Sequence, residues 1–159
     1  MGELTDQDRW DIRQLLALAA HIADSGEWDA LRLVFVDDAV LDVDSGGIAR
    51  RFTGLAGVAD FERVERGPGI HARHTLNTVV RAAEHPDRAV AWSRYLLVTA
   101  EAAALGGDTL DTLVRVGGSG DDAGWRIVHR RVTDRNRRAP GEAYTGDEGE
   151  SFSTWLAER

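Results

Sequence analysis

Apolar residues recur at Ile12, Leu15, Leu16, Ala19, Ile22 and Ala23, the spacing of one buried stripe along a helix. Thr5, ahead of the acidic pair Asp6 and Asp8, marks its start, and Asp24-Ser25-Gly26 its end. The same stripe turns His21 toward solvent. A second helix is expected through Trp28, Leu31, Leu33, Val34 and Phe35, capped by Ser25 and ended by Asp37-Asp38. Then the period changes. Ala39–Val43 and Ile48–Phe52 read as strands around the turn Asp44-Ser45-Gly46-Gly47. Thr53 next caps a third helix with Leu55, Val58, Phe61 and Val64 on its apolar side.

Beyond that helix the pattern is strand upon strand. His71–Ala83, Ala89–Ala102, Thr109–Val116 and Gly124–Thr133 are β-rich, separated by turns at Glu84-His85-Pro86-Asp87, Ala103–Asp108 and Gly117–Asp122. The element order α-α-β-β-α-β-β-β-β has no βαβ crossover, so antiparallel neighbours are expected. In the last strand Trp125, Ile127, His129 and Arg131 alternate with Arg126, Val128, Arg130 and Val132. One of these faces supplies core, and the other suits a subunit contact. From Asp134 the chain turns polar and glycine-rich until Phe152, Trp155 and Leu156, spaced as one docked helical turn. The expectation is a domain over residues 1–134 and a tail over 135–159 that returns to a surface of this chain or of a partner.

Composition narrows the chemistry. The 159 residues fit one domain with a real core. Cysteine is absent, which removes disulfides, thiolate nucleophiles and zinc–thiolate sites. All nineteen basic residues are arginine, so a lysine Schiff base or a phosphate-loop lysine has no donor. A net charge of −8 opposes binding to nucleic acid or anionic membrane. No apolar run approaches the ~20 residues of a membrane span, and the first ten residues lack a signal-peptide pattern. A cytoplasmic location is expected.

Several local patterns carry little. His71 and His74 face opposite sides of a strand and cannot share a metal ion. The stretch from Asp42 to Gly47 lacks the ligands of a calcium loop. Gly118-Ser119-Gly120 sits in a hairpin with no helix after it, and no serine lies in a nucleophile elbow. Neither a metal nor a cofactor is expected. Arg94 and Asp111 lie on neighbouring strands and could pair, either as a buried ion pair or to orient a substrate. Arg130, Arg131, Arg135, Arg137 and Arg138 form a basic cluster, read as a solvated strand end or as an anion or subunit contact. Trp28, Phe52, Phe61, Trp92 and Trp125 are core candidates, a subset of which must line any pocket.

The stretches Leu4-Thr5-Asp6 to Leu15-Leu16, Asp24 to Leu31, Phe35 to Leu41 and Phe52-Thr53-Gly54 resemble the SnoaL-like branch of the nuclear transport factor 2-like superfamily. His74-Thr75-Leu76-Asn77, Asp111 to Arg115 and Gly124-Trp125-Arg126-Ile127 extend that resemblance in the right order to about residue 133. It implies an α+β cone-shaped barrel, in which a curved mixed or antiparallel sheet packs on N-terminal helices around a pocket. It also implies a histidine on the third strand working with an aspartate at the end of the first helix, here His74 and Asp24. Two tyrosines common in the family are absent, their positions being Ala19 and Thr109.

A neutral-pH acid–base role suits a histidine with a carboxylate partner. The leading expectation is therefore cofactor-independent dehydration, isomerisation or cyclisation of a small, mostly apolar organic substrate. His74 and Asp24 would be catalytic; Ala19, Trp28, Phe52, Phe61, Trp92, Arg94, Asp111 and His129 would contact substrate. The alternatives are a non-catalytic ligand-binding or assembly subunit and an epoxide hydrolase in which Asp111 and Arg94 position water. A homodimer through the outer face of the sheet is expected.

Overall fold

A computed structural model describes residues 3–45, 47–66, 69–117, 120, 123–134 and 152–157. Helix α1 spans Asp6–Ser25 and opens on a capping box. The Thr5 hydroxyl accepts the Asp8 N–H (3.1 Å), and the Asp8 carboxylate accepts the Thr5 N–H (3.0 Å). It ends at Gly26, whose φ of 69° is one a side chain would resist. The predicted stripe packs inward: Ile12, Leu16, Ala19, Ile22 and Ala23 are buried, Leu15 is half-buried and His21 is exposed.

Asp8 does more than cap. Its carboxylate also pairs with the Arg115 guanidinium and accepts the Trp125 indole N–H (3.3 Å), tying the start of α1 to the strands beneath. Burial would push this carboxyl up, but the bonds from Thr5, Arg115 and Trp125 outweigh it and hold the pKa at about 2 against the usual 3.8. A depressed carboxyl stabilises the fold above its ordinary pKa and loses that contribution as pH falls toward 2. Asp8→Asn is expected to cost about 1–2 kcal/mol at pH 7, less than the bare shift implies because Arg115 is partly solvated. The gap between wild type and variant should close between pH 4 and pH 2 in urea unfolding curves.

The second helix departs from expectation. Trp28–Leu33 forms only a short 3-10 helix, and strand β1 begins at Phe35 and runs to Ser45. Val34-Phe35-Val36 is β-branched and aromatic, and Phe35 already pairs with Ile127 on the last strand. A register shift between Phe35 and Val40 lets the exposed Asp37 and Asp38 bulge out without ending the strand. After β1 come β2 (Ile48–Thr53), α2 (Gly54–Arg66), β3 (Ile70–Ala82), β4 (Arg88–Thr99), β5 (Ala104–Val116) and β6 (Gly124–Asp134).

One curved, unclosed sheet has the order β2-β1-β6-β5-β4-β3. Every neighbouring pair is antiparallel except β1 with β6, which is parallel and makes the sheet mixed. Helices α1 and α2 lie on its concave side, where Ile12, Leu16, Val58, Phe61, Leu41, Val80 and Leu113 share one apolar core.

Two irregularities decide which side chains enter that concavity. In β3 the register slips between Leu76 and Val79 around Asn77, which sits at φ 53°. In β6 it slips at Val128: Thr112 opposes His129 while Leu113 opposes Ile127. The face shared by Trp125 and Ile127 therefore continues through Arg130 and Val132, not through His129. Strict alternation would have placed them the other way round.

On the convex side the six-residue helix α3 (Phe152–Ala157) seats Trp155, which is fully buried. Its ring meets Trp92 edge-on at 6.0 Å between centroids, and the Arg81 guanidinium lies over it at 5.0 Å. The tail thus returns to its own chain. Residues 135–151, the basic positions Arg135, Arg137 and Arg138, and most of the loop expected at Gly117–Asp122 lie outside the described residues. No helix among the described residues is long and apolar enough to cross a membrane.

Candidate functional site in the cone

A cavity of about 130 Å3 opens on the concave side, between α1, α2 and the curved sheet. Ala19 and Ala20 of α1 form one wall, with Phe61 and Glu62 of α2 beside them. Thr75 of β3, Tyr95 and Leu97 of β4, Thr109 of β5 and Val132 of β6 complete the interior, while Asp44, Ser45 and Asp134 also line it. Ser45 donates its hydroxyl proton to Asp134 at 3.3 Å. Ala19 and Thr109, the positions where tyrosines are absent, both line the cavity, so their small side chains create space there.

Two buried ion pairs give the cavity its polarity. The first joins Glu62 and Arg73. Glu62 falls on the inward stripe of α2, four residues after Val58 and next to Phe61, and its side chain is 5% exposed. Arg73 reaches it from β3 with a side chain 13% exposed. The second joins Arg130 of β6 to Asp111 of β5, directly opposite each other in the ladder. Arg130 donates from Nε at 2.7 Å and from a terminal nitrogen at 3.0 Å, a bidentate fork onto a carboxylate with no exposure. The Arg130 guanidinium also lies over the Phe35 ring at 5.3 Å. Burial works against the Arg130 charge, but Asp111 and, more weakly, Glu62 overcome it and raise its pKa. The two pairs are therefore electrostatically linked through Glu62.

The profile of the SnoaL-like domain matches residues 5–131. The chain belongs to the SnoaL-like domain family. No curated protein matches it. Among solved structures, this SnoaL-like protein is similar to a cystatin-like-fold protein of unknown function from Nostoc punctiforme. There the TM-score is 0.69 and the identity 17%, over 85% of this chain and 96% of that one. It is also similar to a nuclear transport factor 2-like protein from Novosphingobium aromaticivorans (TM-score 0.65, 24% identity, 84% and 85% covered). A protein from the same organism, proposed to be an aromatic ring hydroxylase, gives 0.64 and 23% over 83% and 92%. At these identities the likeness establishes the cone fold and leaves the chemistry to the site.

Several expected site residues of this SnoaL-like protein lie elsewhere. His74 is exposed, on the face of β3 opposite Arg73 and Thr75. Asp24 accepts the backbone N–H of Arg73 at 3.1 Å, which fastens the end of α1 to β3. Arg94 lies on the convex face, 3.6 Å from Asp108, and Asp111 takes Arg130 as its partner instead. His129 is also convex, with Nε2 2.9 Å from an Asp42 carboxylate that Arg51 grips from the other side. The bonds from Arg51, more than that from His129, hold Asp42 at about 2 despite burial. Trp92 faces Trp155, and Trp28, half-buried against the core, lies under Arg63.

Ala19 and Phe61 do line the cavity, with Phe52 packed behind Phe61 at 5.5 Å between ring centroids. Glu62, Arg73, Tyr95 and Arg130 were not among the expected residues. A carboxylate on the apolar stripe of α2 was the available signal for Glu62. Among the described residues, no group of three or more histidines and carboxylates could hold a metal ion.

Proposed function

We propose that this protein binds a small organic molecule in the cone and performs cofactor-independent acid–base chemistry on it, of the dehydration, isomerisation or cyclisation type, with Glu62 carrying the proton. The observation that supports this most is Glu62 itself: a buried carboxylate in the wall of a small cavity, paired to Arg73. Burying a charged pair costs several kcal/mol that apolar residues of the same volume would not, so such pairs are weak stabilisers. Placed in a cleft, the same pair fixes a carboxylate oxygen where a substrate proton can reach it. In isomerisation or cyclisation the proton would pass from a substrate carbon or hydroxyl to Glu62 and return elsewhere on the product. In dehydration it would pass from carbon to Glu62 and leave with the departing hydroxyl as water. Neither route changes the overall oxidation state or holds a group on the enzyme.

His74 is outside the cavity, so the proton-transfer role expected for it from the family resemblance passes to Glu62 in this proposal. That placement also favours a second function, a ligand-binding or assembly subunit without turnover. Epoxide opening loses the Arg94–Asp111 pairing on which its water would have depended. Mass spectrometry of molecules that co-purify with the protein would supply a starting substrate. With it, Glu62→Gln should bind normally and turn over ~10²–10⁴-fold more slowly, whereas His74→Ala should stay within about twofold of wild type. Full turnover in Glu62→Gln would rule out its role. Binding without turnover in wild type would leave the binding-subunit function.

A further inference from the structure

We infer that the cavity takes an uncharged, single-ring molecule bearing an acceptor oxygen, and that Nε–H of Arg73 is the donor that receives this oxygen. The inference rests on the cone cavity being the ligand site, as proposed above, and names the ligand class that fits it.

Size comes first. The open-mouthed space of about 130 Å3 is close to the ~150 Å3 of an apolar cavity that holds one benzene. Charge comes second. Arg73 is neutralised by Glu62, and Arg130 by the bidentate grip of Asp111, so neither guanidinium offers an uncompensated positive charge. A carboxylate or phosphate would be desolvated there without a counter-ion. The third observation is polar. Nε of Arg73 is buried and has no hydrogen-bond partner, although the same side chain lines the cavity. Buried donors are nearly always paired, and one left over beside a cavity is where a ligand acceptor gains most. Phe61, Leu97 and Val132 supply apolar contact for a ring.

The test uses the whole chain, labelled with 15N, and follows the arginine Nε–H signals by NMR during titration with cyclohexanone, phenol, toluene and benzoate. Arg73→Lys keeps a cation for Glu62 and identifies the Arg73 signal by its loss. Cyclohexanone and phenol should move that signal, and toluene should bind without moving it. Benzoate should bind at least about tenfold more weakly than cyclohexanone, and Arg73→Lys should weaken cyclohexanone by about tenfold or more, the usual effect of one bond to a charged donor. Benzoate binding as tightly as cyclohexanone would overturn the inference. So would cyclohexanone binding that Arg73→Lys leaves unchanged, or an absence of binding by both oxygenated probes. Because only binding is read, failure here is distinct from failure of Glu62 as proton carrier, which turnover alone reports.

Discussion

Asp111→Ala is expected to destabilise the protein by about 3–5 kcal/mol, the cost of leaving a buried charge without its partner. Asp111 is completely buried, and Arg130, only 12% exposed over Phe35, would keep a mostly buried charge without its carboxylate. For a chain of this length such a loss lowers Tm by about 10 °C or more. Arg130→Met should cost a similar amount, since it strands the carboxylate instead. Asp111→Leu combined with Arg130→Met should recover most of the loss, because an apolar pair of like volume avoids both desolvation costs. Thermal unfolding of Asp111→Leu, Arg130→Met and the double variant forms a complete cycle. Additive losses in the double variant would show that the pair is not the coupled unit its geometry describes.

Gly107→Ala should be nearly as damaging, for a steric reason. A Cβ at position 107 would stand 2.1 Å from the carbonyl oxygen of Thr133 and 2.5 Å from two carbons of the Tyr95 ring. Thr133 belongs to β6, the strand hydrogen-bonded to β5 at this point, so its backbone cannot step aside without breaking the ladder. The Tyr95 ring lies across Gly107 and lines the cavity, so the bare glycine is what lets an aromatic side chain cover this part of the sheet. About 3 kcal/mol or more of overpacking is expected. The variant should also bind cavity ligands poorly, even at temperatures where it is folded. Urea unfolding together with cyclohexanone titration would separate the two effects, and a variant with wild-type stability would contradict the close approach.

Most of the fold was legible in the chain because α1 and the strands bury one face each, and a buried face imposes its period on the sequence. Ile12, Leu16, Ala19 and Ala23 could not be read as anything but a helix, and the turn residues between strands fixed their number. The site was harder, since it depends on which face of each strand points inward. In β6 the bulge at Val128 adds one residue on the convex side and exchanges the roles of His129 and Arg130. A bulge leaves no composition signal, so alternation carried the wrong parity across it. In β3 no bulge separates Arg73 from His74, and either could have faced the cavity. The family resemblance favoured the histidine, and Asp24 instead holds the Arg73 backbone. Glu62 is a charge on the apolar stripe of α2 and went unread, because Leu55, Val58 and Phe61 alone account for the helix.

Trp155 is joined to the end of β6 by only twenty intervening residues, so its docking on the convex face is an intramolecular association. A connection of few residues holds such a group at an effective concentration on the order of millimolar. Another molecule of this protein approaching the same patch of sheet meets Trp92 already covered, and must compete with a tethered occupant far more concentrated than itself. The homodimer expected through this face would have to build around Trp155 or displace it. The segment Phe152–Ala157 therefore stands between the Trp92 patch and any assembly that uses it.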